Sequence, residues 1–370
     1  MCPESNERQL SPQCQHLGFC SGCHFESVAY TDQLAQKKQL LLDLFSTEGI
    51  ALSEIKIKSS GENFLRQRFD FTIETESMGL YGKDHQLIDI KQCMQLAPEL
   101  LAAFLDFKKI NFPIQKKGSV RLRVGPSGLR GAWLDFANLD TKHLLATRTC
   151  FDHLLAMGFK IEIGQKAKTL SKINDHYKLT DPTPQNWFQS KHQSLDCYVS
   201  SFTQPSWVTA DVLTDTIVAW LPKLPTRLCE FGSGIGQFTL PLLSQGHSVD
   251  VYESDSQATD LVKLNAVRHH LQEKLQIYHG DFQNQPLPVG KSYEAMLVNP
   301  PRSGLKGFTE QIISVQTKKL IYVSCFPESL VSDLKKLITS GFTLKEISLV
   351  DQFPQTKHFE TCVLLERIHL

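Results

Sequence analysis

Two short stretches of this 370-residue sequence carry side chains able to do covalent chemistry together. The first, IYVSCFPES (321–329), runs an apolar segment into Cys325 and then into Pro327, a residue suited to the first turn of a helix. A cysteine so placed is either a small buried apolar residue or a nucleophile whose thiolate is favoured by the helix N-terminus. The second, DQFPQTKHFETC (351–362), sets Glu360 in a short strand after a tight turn. A thiol and a carboxylate around one cleft are the two groups that carbon methylation of a uracil ring needs. The thiolate adds to C6, C5 takes the methyl group, and the carboxylate removes the C5 proton.

A third stretch supplies a ligand-binding turn. RLCEF (227–231) leads into GSGIGQF, so Glu230, Gly232, Gly234 and Gly236 fall on a strand-to-helix turn where glycine lets the backbone bend tightly and approach a ligand. The next strand ends at Glu253, which is placed to accept hydrogen bonds from ribose hydroxyls, and Asp281 in HGDF closes a third strand over an adenine. A dinucleotide asks for G-x-G-x-x-G, and a P-loop asks for a lysine that is missing here. The G-x-G-x-G spacing with an acid ending the following strand fits S-adenosylmethionine better. VNPPRSG (298–304) ends a fourth strand and turns the Asn299 amide into the cleft, which suits a planar ring bearing amide groups.

A fourth group lies near the N-terminus. Cys14, Cys20 and Cys23 form C-x5-C-x2-C, and Cys93 follows in IDIKQC. Four thiolates hold either zinc or a four-iron cluster, and ligand type alone does not separate the two.

These residues must be positioned by a scaffold, and the texture of the chain indicates which. TDQLAQKKQLLLDLFS (31–46) has helical spacing of apolar residues. From 55 to about 200, alternating runs such as FDFTIE, VRLRVG and IEIG predict a mixed or antiparallel sheet, with a helix around 141–157. The turn-rich segment 181–198 predicts a boundary, giving an N-terminal α+β region over 1–197 and a second domain over 198–370. Beyond 206, strands at 227–231, 248–253, 275–280, 295–299 and 320–325 alternate with helices, and a final pair of strands follows with only a short loop between. That pattern predicts an α/β fold with a doubly wound, mostly parallel seven-stranded sheet, whose ligands sit at the carboxyl ends of the strands.

Bulk properties narrow the class. With 41% hydrophobic and 21% charged residues and no apolar run near 20 residues, the sequence predicts a globular chain with no membrane partner. The polar N-terminus lacks a signal-peptide pattern, so a cytoplasmic location is expected, where clustered cysteines serve as metal ligands or catalytic groups. Formal net charge is zero, so nucleic-acid binding must rest on a local patch. Lys108, Lys109, Lys116, Lys117, Arg121, Arg123 and Arg130 form the one conspicuous basic stretch, with Arg66 and Arg68 able to join it in contacting phosphates.

Taken together, SSFTQ (200–204), EFGSGIGQF, Glu253, Asp281, VNPPRSG, YVSC and DQFPQTKHFE resemble the motifs of the RNA (uracil-5-)-methyltransferases over nearly the whole chain. The resemblance implies an enzyme with a C-terminal class I S-adenosylmethionine-dependent methyltransferase fold. It implies Cys325 as nucleophile, Glu360 as base, and Gln204, Glu230, Gly232, Gly234, Glu253, Asp281 and Asn299 as cofactor-binding residues. It further implies a [4Fe-4S] cluster on Cys14, Cys20, Cys23 and Cys93, as in the ribosomal RNA branch of the family. With 13 residues before Cys14, the chain resembles the compact 23S ribosomal RNA enzymes that lack an N-terminal RNA-binding barrel. The expected partner is therefore 23S rRNA, bound by a monomer with no role for DNA. A tRNA substrate and a non-catalytic iron-sulfur RNA-binding paralogue are the alternatives. The chain departs from the family at Phe326, where Asn is usual, and at Gln355, where His is usual.

Overall fold

The computed structural model describes residues 14–25, 27–52, 54–112, 117–136, 148–280 and 291–367. Strand β1 (Lys56–Ser59) stands apart from the strands that follow it in sequence. Strands β2 (Arg68–Glu74), β3 (Ser77–Tyr81), β4 (Leu87–Asp89), β5 (Gly118–Val124), β6 (Arg130–Asp135), β7 (Phe159–Ile163), β8 (Lys168–Ile173) and β9 (His176–Thr180) form one sheet in the order β4-β3-β2-β5-β6-β7-β8-β9. All its pairings are antiparallel except β6 with β7. Period-two alternation puts Phe69, Phe71, Val120 and Leu122 on one face, where they pack with Phe104 and Phe107 of the helix Pro98–Lys108 and with Phe151 and Leu154 of the helix Arg148–Ala156. The predicted helix around 141–157 is thus present from 148, its first part lying outside the described residues.

A hairpin of β10 (Gln185–Gln189) and β11 (Ser194–Cys197) leads into the second sheet. That sheet comprises β1 with β12 (Arg227–Phe231), β13 (Ser248–Glu253), β14 (Leu275–His279), β15 (Ser292–Val298), β16 (Gln316–Ser324), β17 (Phe342–Asp351) and β18 (Glu360–Arg367). Their order is β1-β17-β18-β16-β15-β12-β13-β14, and only β18 runs against its neighbours. Strand β12 lies between β13 and β15, so the order reverses there and leaves a crevice at the carboxyl ends of the strands.

Two expectations need correction. The sheet has eight strands, because β1 adds in parallel to β17 with Lys56 opposite Ser348. Residues 30–59 therefore belong with the second sheet, although they fall inside the span 1–197. The helix Tyr30–Thr47 explains why: Gln33, Lys37, Leu41 and Phe45 recur every four residues as its buried stripe, and Leu41 and Phe45 share a core with Ile55 and with Leu330, Leu334 and Leu337 of the helix Pro327–Thr339. The hairpin crosses the division too, since Trp187, Phe188 and Leu195 join the core under the helix Trp207–Trp220. Among the described residues no helix is long and apolar enough to cross a membrane.

Candidate active site

The glycine turn after β12 is built by backbone sterics. Gly232 (φ 77°), Gly234 (φ 55°) and Gly236 (φ 95°) all occupy the left-handed region, and a Cβ on Gly232 would lie 2.9 Å from the carbonyl oxygen of Asn299. Only glycine lets the turns after β12 and β15 approach so closely. The Glu253 carboxylate binds the turn to its neighbour, accepting the Gly234 N–H at 2.9 Å and the Asp255 N–H at 3.0 Å. Asp255 in turn caps the helix Ser256–Arg268 by accepting from the backbone N–H groups of Gln257 (2.8 Å) and Ala258 (3.1 Å).

One cleft brings together Gln204, Gly232, Gly234, Glu253, Asn299, Cys325 and Glu360, residues drawn from positions far apart in the chain. Glu230 is not among its lining residues. It is buried beneath the turn, accepts a hydrogen bond from the Thr239 hydroxyl at 2.7 Å, and burial raises its carboxyl to about 7, with Glu253 adding to the effect. Its place is under the loop, behind the residues that line the cleft. Asp281 lies outside the described residues. Gln204 is buried and bonded to Gln352, which ties SSFTQ to the start of the loop after β17.

Sheet topology brings Cys325 and Glu360 together. Strand β16 ends and antiparallel β18 begins at the same edge of the sheet, where Ser324 pairs with Thr361. One step beyond that pair the chain reaches Cys325 on one side and Glu360 on the other. Arg302, from the VNPPRSG turn, completes the group by hydrogen bonding to the Cys325 thiol, and its charge favours the ionised forms of both Cys325 and Glu360. Glu360 is fully buried, which raises its carboxyl to about 8 against the pull of Arg302. The Cys325 thiol is also raised, first by burial and then by Glu360. Arg302 is the cation that opposes this rise. The sequence signal for Arg302 was its position three residues after Asn299 in the same turn.

The loop carrying Glu360 is held from an unexpected direction. Lys37, on the stripe of the first helix, forms a buried ion pair with Asp351 at 2.6 Å and donates to the Phe353 carbonyl at 3.1 Å. The Tyr30 hydroxyl donates to the other Asp351 oxygen at 2.7 Å. Gln33 donates to the Gln355 side-chain oxygen at 2.9 Å and accepts the Gln355 N–H at 3.1 Å. Gln355 therefore anchors the loop, at a left-handed φ of 64°. A glutamine and a lysine in line with Leu41 and Phe45 on one helical stripe were the available signal for these contacts. Phe326 holds its backbone N–H on the Ser324 hydroxyl at 3.1 Å and leaves its ring partly exposed beside Cys325.

Cys14, Cys20, Cys23 and Cys93 line one pocket together with Leu80, Ile90 and Phe69. The Cys20 sulfur accepts the Gly22 N–H at 3.3 Å. Burial raises the Cys20 and Cys93 thiols and takes Cys23 to about 12. Among the described residues no three His, Cys, Asp or Glu side chains are placed to hold a metal ion. The four cysteines share a pocket.

The basic stretch does not form the free patch expected of it. Lys108 pairs with Asp89, Lys109 and Arg130 with Asp106, and Arg121 with Asp70, while Arg123 is wholly buried. Arg66 is half-buried, with its charge coupled to Cys93 and Cys23. Lys116 lies outside the described residues, and Lys117 sits over the Tyr81 ring.

Comparison with known proteins places this geometry. A family model described as tRNA (Uracil-5-)-methyltransferase matches residues 289–368, which hold Asn299, Arg302, Cys325 and Glu360, and one described as Methyltransferase small domain matches 204–320. The chain is 38% identical to an uncharacterized RNA methyltransferase of Bdellovibrio bacteriovorus, over 98% of this chain and 97% of that one. It is 27% identical to the 23S rRNA (uracil(1939)-C(5))-methyltransferase RlmD of Shewanella putrefaciens, over 98% of this chain and 83% of that one. The fold resembles that of the Pyrococcus abyssi tRNA (uracil-54, C5)-methyltransferase solved with S-adenosyl-L-homocysteine, with a TM-score of 0.70 at 19% identity over 94% of this chain and 86% of that one. With a full-length relative well above 30% identity and the motif-bearing strand ends gathered on one cleft, the chain belongs to the RNA (uracil-5-)-methyltransferase family.

Proposed function

We propose that this protein methylates C5 of a uridine in 23S ribosomal RNA, with S-adenosylmethionine as methyl donor, through a covalent bond between Cys325 and C6. The observation that carries this reading is the juxtaposition of Cys325, Glu360 and Arg302 at one sheet edge, in the cleft that also holds the glycine turn. Cys325 Sγ, as the thiolate that Arg302 favours, bonds to C6, and the displaced electron pair moves onto C5 and the adjoining carbonyl. C5 then takes the methyl group from the sulfonium, releasing S-adenosylhomocysteine. Glu360 accepts the C5 proton, and the returning pair expels the Cys325 thiolate, so the net change is one methyl group gained and one proton lost. Asn299, at the turn beside Gly232, orients the ring, while Gln204, Gly232, Gly234 and Glu253 hold the donor. Asp281 is assigned to the adenine on its motif alone.

The four N-terminal cysteines are proposed to hold a [4Fe-4S] cluster. In support, all four line one pocket, and the Cys20 sulfur accepts a backbone N–H, a bond of the kind that tunes cluster sulfurs. The role assigned to them is structural. The ribosomal substrate rests on the likeness to RlmD over 98% of this chain together with these cysteines.

Unmodified 23S rRNA and tRNA incubated separately with radiolabelled S-adenosylmethionine test the reading. Label on C5 of a 23S uridine is expected; label in tRNA alone would reassign the substrate, and label in neither would remove the activity. Iron and sulfide analysis with visible absorption tests the cluster, and a colourless zinc protein would overturn it.

A further inference from the structure

Three arginines of the first sheet do not face solvent. Arg68 and Asp70 on β2 lie opposite Arg123 and Arg121 on β5, and strand alternation puts all four on the face away from the phenylalanine core. The segment 197–204, which leads from β11 to the cleft, lies against that face. Arg123 donates to the Tyr198 carbonyl at 3.1 Å, to the Ser201 carbonyl at 2.6 Å and to the Thr203 hydroxyl at 3.3 Å. Arg121 donates to the Ser200 and Ser201 carbonyls, and Arg68 to the Thr203 carbonyl. On the same face, in cross-strand register with Arg121 through Trp133, Glu162 on β7 accepts the Val199 N–H at 2.8 Å and the Ser200 N–H at 2.9 Å. An irregular segment of eight residues thus has its carbonyls and amides held by four charged side chains, none of which lines the cleft.

We infer that Arg68, Arg121, Arg123 and Glu162 are positioning residues that fix segment 197–204 as one wall of the cleft, and that donor affinity depends on this hold. Ser201, Phe202 and Gln204 line the cleft opposite Gly232, Gly234 and Glu253, so the segment's order decides whether that wall is formed before a ligand arrives. A planar guanidinium reaches two carbonyls in a fixed fork, which a lysine cannot do, and a carboxylate accepts two amides. The first sheet therefore acts on the second domain's chemistry through hydrogen bonds to backbone and not through contact with the ligand. This inference rests on the reading that the cleft binds S-adenosylmethionine.

The test uses the full chain with Arg121→Gln or Glu162→Gln, and Arg130→Gln as a control that cuts the pair with Asp106 and the contact over the Phe159 ring. Hydrogen exchange at amides 199–204 is measured in ligand-free protein, and S-adenosylhomocysteine binding is measured by calorimetry alongside the thermal midpoint. Loss of charge-assisted bonds predicts exchange and Kd each raised about tenfold in the two variants and unchanged in the control. Unchanged exchange overturns the inference, as does faster exchange with unchanged Kd. A purely structural role would lower the midpoint while leaving the Kd of the folded protein where it was. Failure of the wild-type protein to bind S-adenosylhomocysteine would instead remove the donor reading, and exchange would still judge the hold on the segment.

Discussion

Cys325 follows the last residue of β16 and Glu360 opens antiparallel β18, each one step beyond the register pair Ser324–Thr361, so sheet topology brings the thiol and the carboxyl to one cleft. Rigid placement of this kind separates their roles cleanly. Cys325→Ala should abolish methyl transfer. Glu360→Gln should still form the C6 bond, methylate C5 and then stall, slowing turnover by about 10²-fold or more. A protein–RNA adduct that survives denaturing electrophoresis in Glu360→Gln, and is absent in Cys325→Ala, checks the assignment.

The buried carboxyl also sets a pH dependence. With Glu360 raised to about 8, its base form in the free enzyme grows as pH climbs through 8, and kcat/KM should rise over the same interval. For stability the sign is opposite. Folding holds this carboxyl above its unfolded value of 4.5, so its contribution is fully present below pH 4.5 and is lost as pH rises through 8. Glu360→Gln should therefore gain stability relative to wild type toward pH 8, on the order of 3–5 kcal/mol, as measured by urea unfolding at pH 5 and pH 8.

Arg302 offsets part of the burial that raises both groups. Arg302→Gln should push the Cys325 thiol higher and slow its alkylation several-fold at a fixed pH, with the alkylation profile displaced to higher pH. Iodoacetamide labelling of Cys325, followed by mass spectrometry, reads this without RNA or donor.

The ion pair between Lys37 and Asp351 is almost fully buried. Lys37→Ala leaves an unpaired carboxylate there and should cost about 3–5 kcal/mol, whereas Lys37→Met with Asp351→Asn should recover much of it. Denaturant melts of the single and double variants give the coupling directly.

Gly232→Ala sets a Cβ 2.9 Å from the Asn299 carbonyl at a φ of 77°. The turn must shift, and a loss of about 1–3 kcal/mol in stability is expected, together with weaker S-adenosylhomocysteine binding.

Much of this was legible in the chain itself, because local rules fix strands and turns. Apolar strands of five to ten residues and glycines at positive φ mark the second sheet and its cleft. What could not be read depended on which surface meets which. KIKS at β1 is short and polar, and nothing in four residues announces that it will pair with Ser348 to Asp351. Arg121 and Arg123 stand at the off-core positions of a period-two strand, the same pattern whether that face meets RNA or another segment of the protein. Glu230 and Glu253 lie near the ends of neighbouring strands, yet one accepts from the Thr239 hydroxyl and the other from the Gly234 N–H, a choice set by packing in three dimensions. The Cys325 thiol needed knowledge of Glu360 and Arg302 together before even its direction of shift could be assigned.

The seam between β1 and β17 has a consequence for synthesis. The first helix and first strand emerge from the ribosome early, but the strand that completes β1 and the helix that covers Leu41 and Phe45 emerge near the end. The first helix must therefore wait, with Leu41 and Phe45 uncovered, until its distant partners are made. Contacts so remote in sequence make closure of the catalytic sheet a late and slow event. A piece cut at residue 198 would leave β17 as a bare edge, open to pairing between copies. Such a cut would part the first helix and β1 from the sheet and core that they share with β17 and the helix Pro327–Thr339.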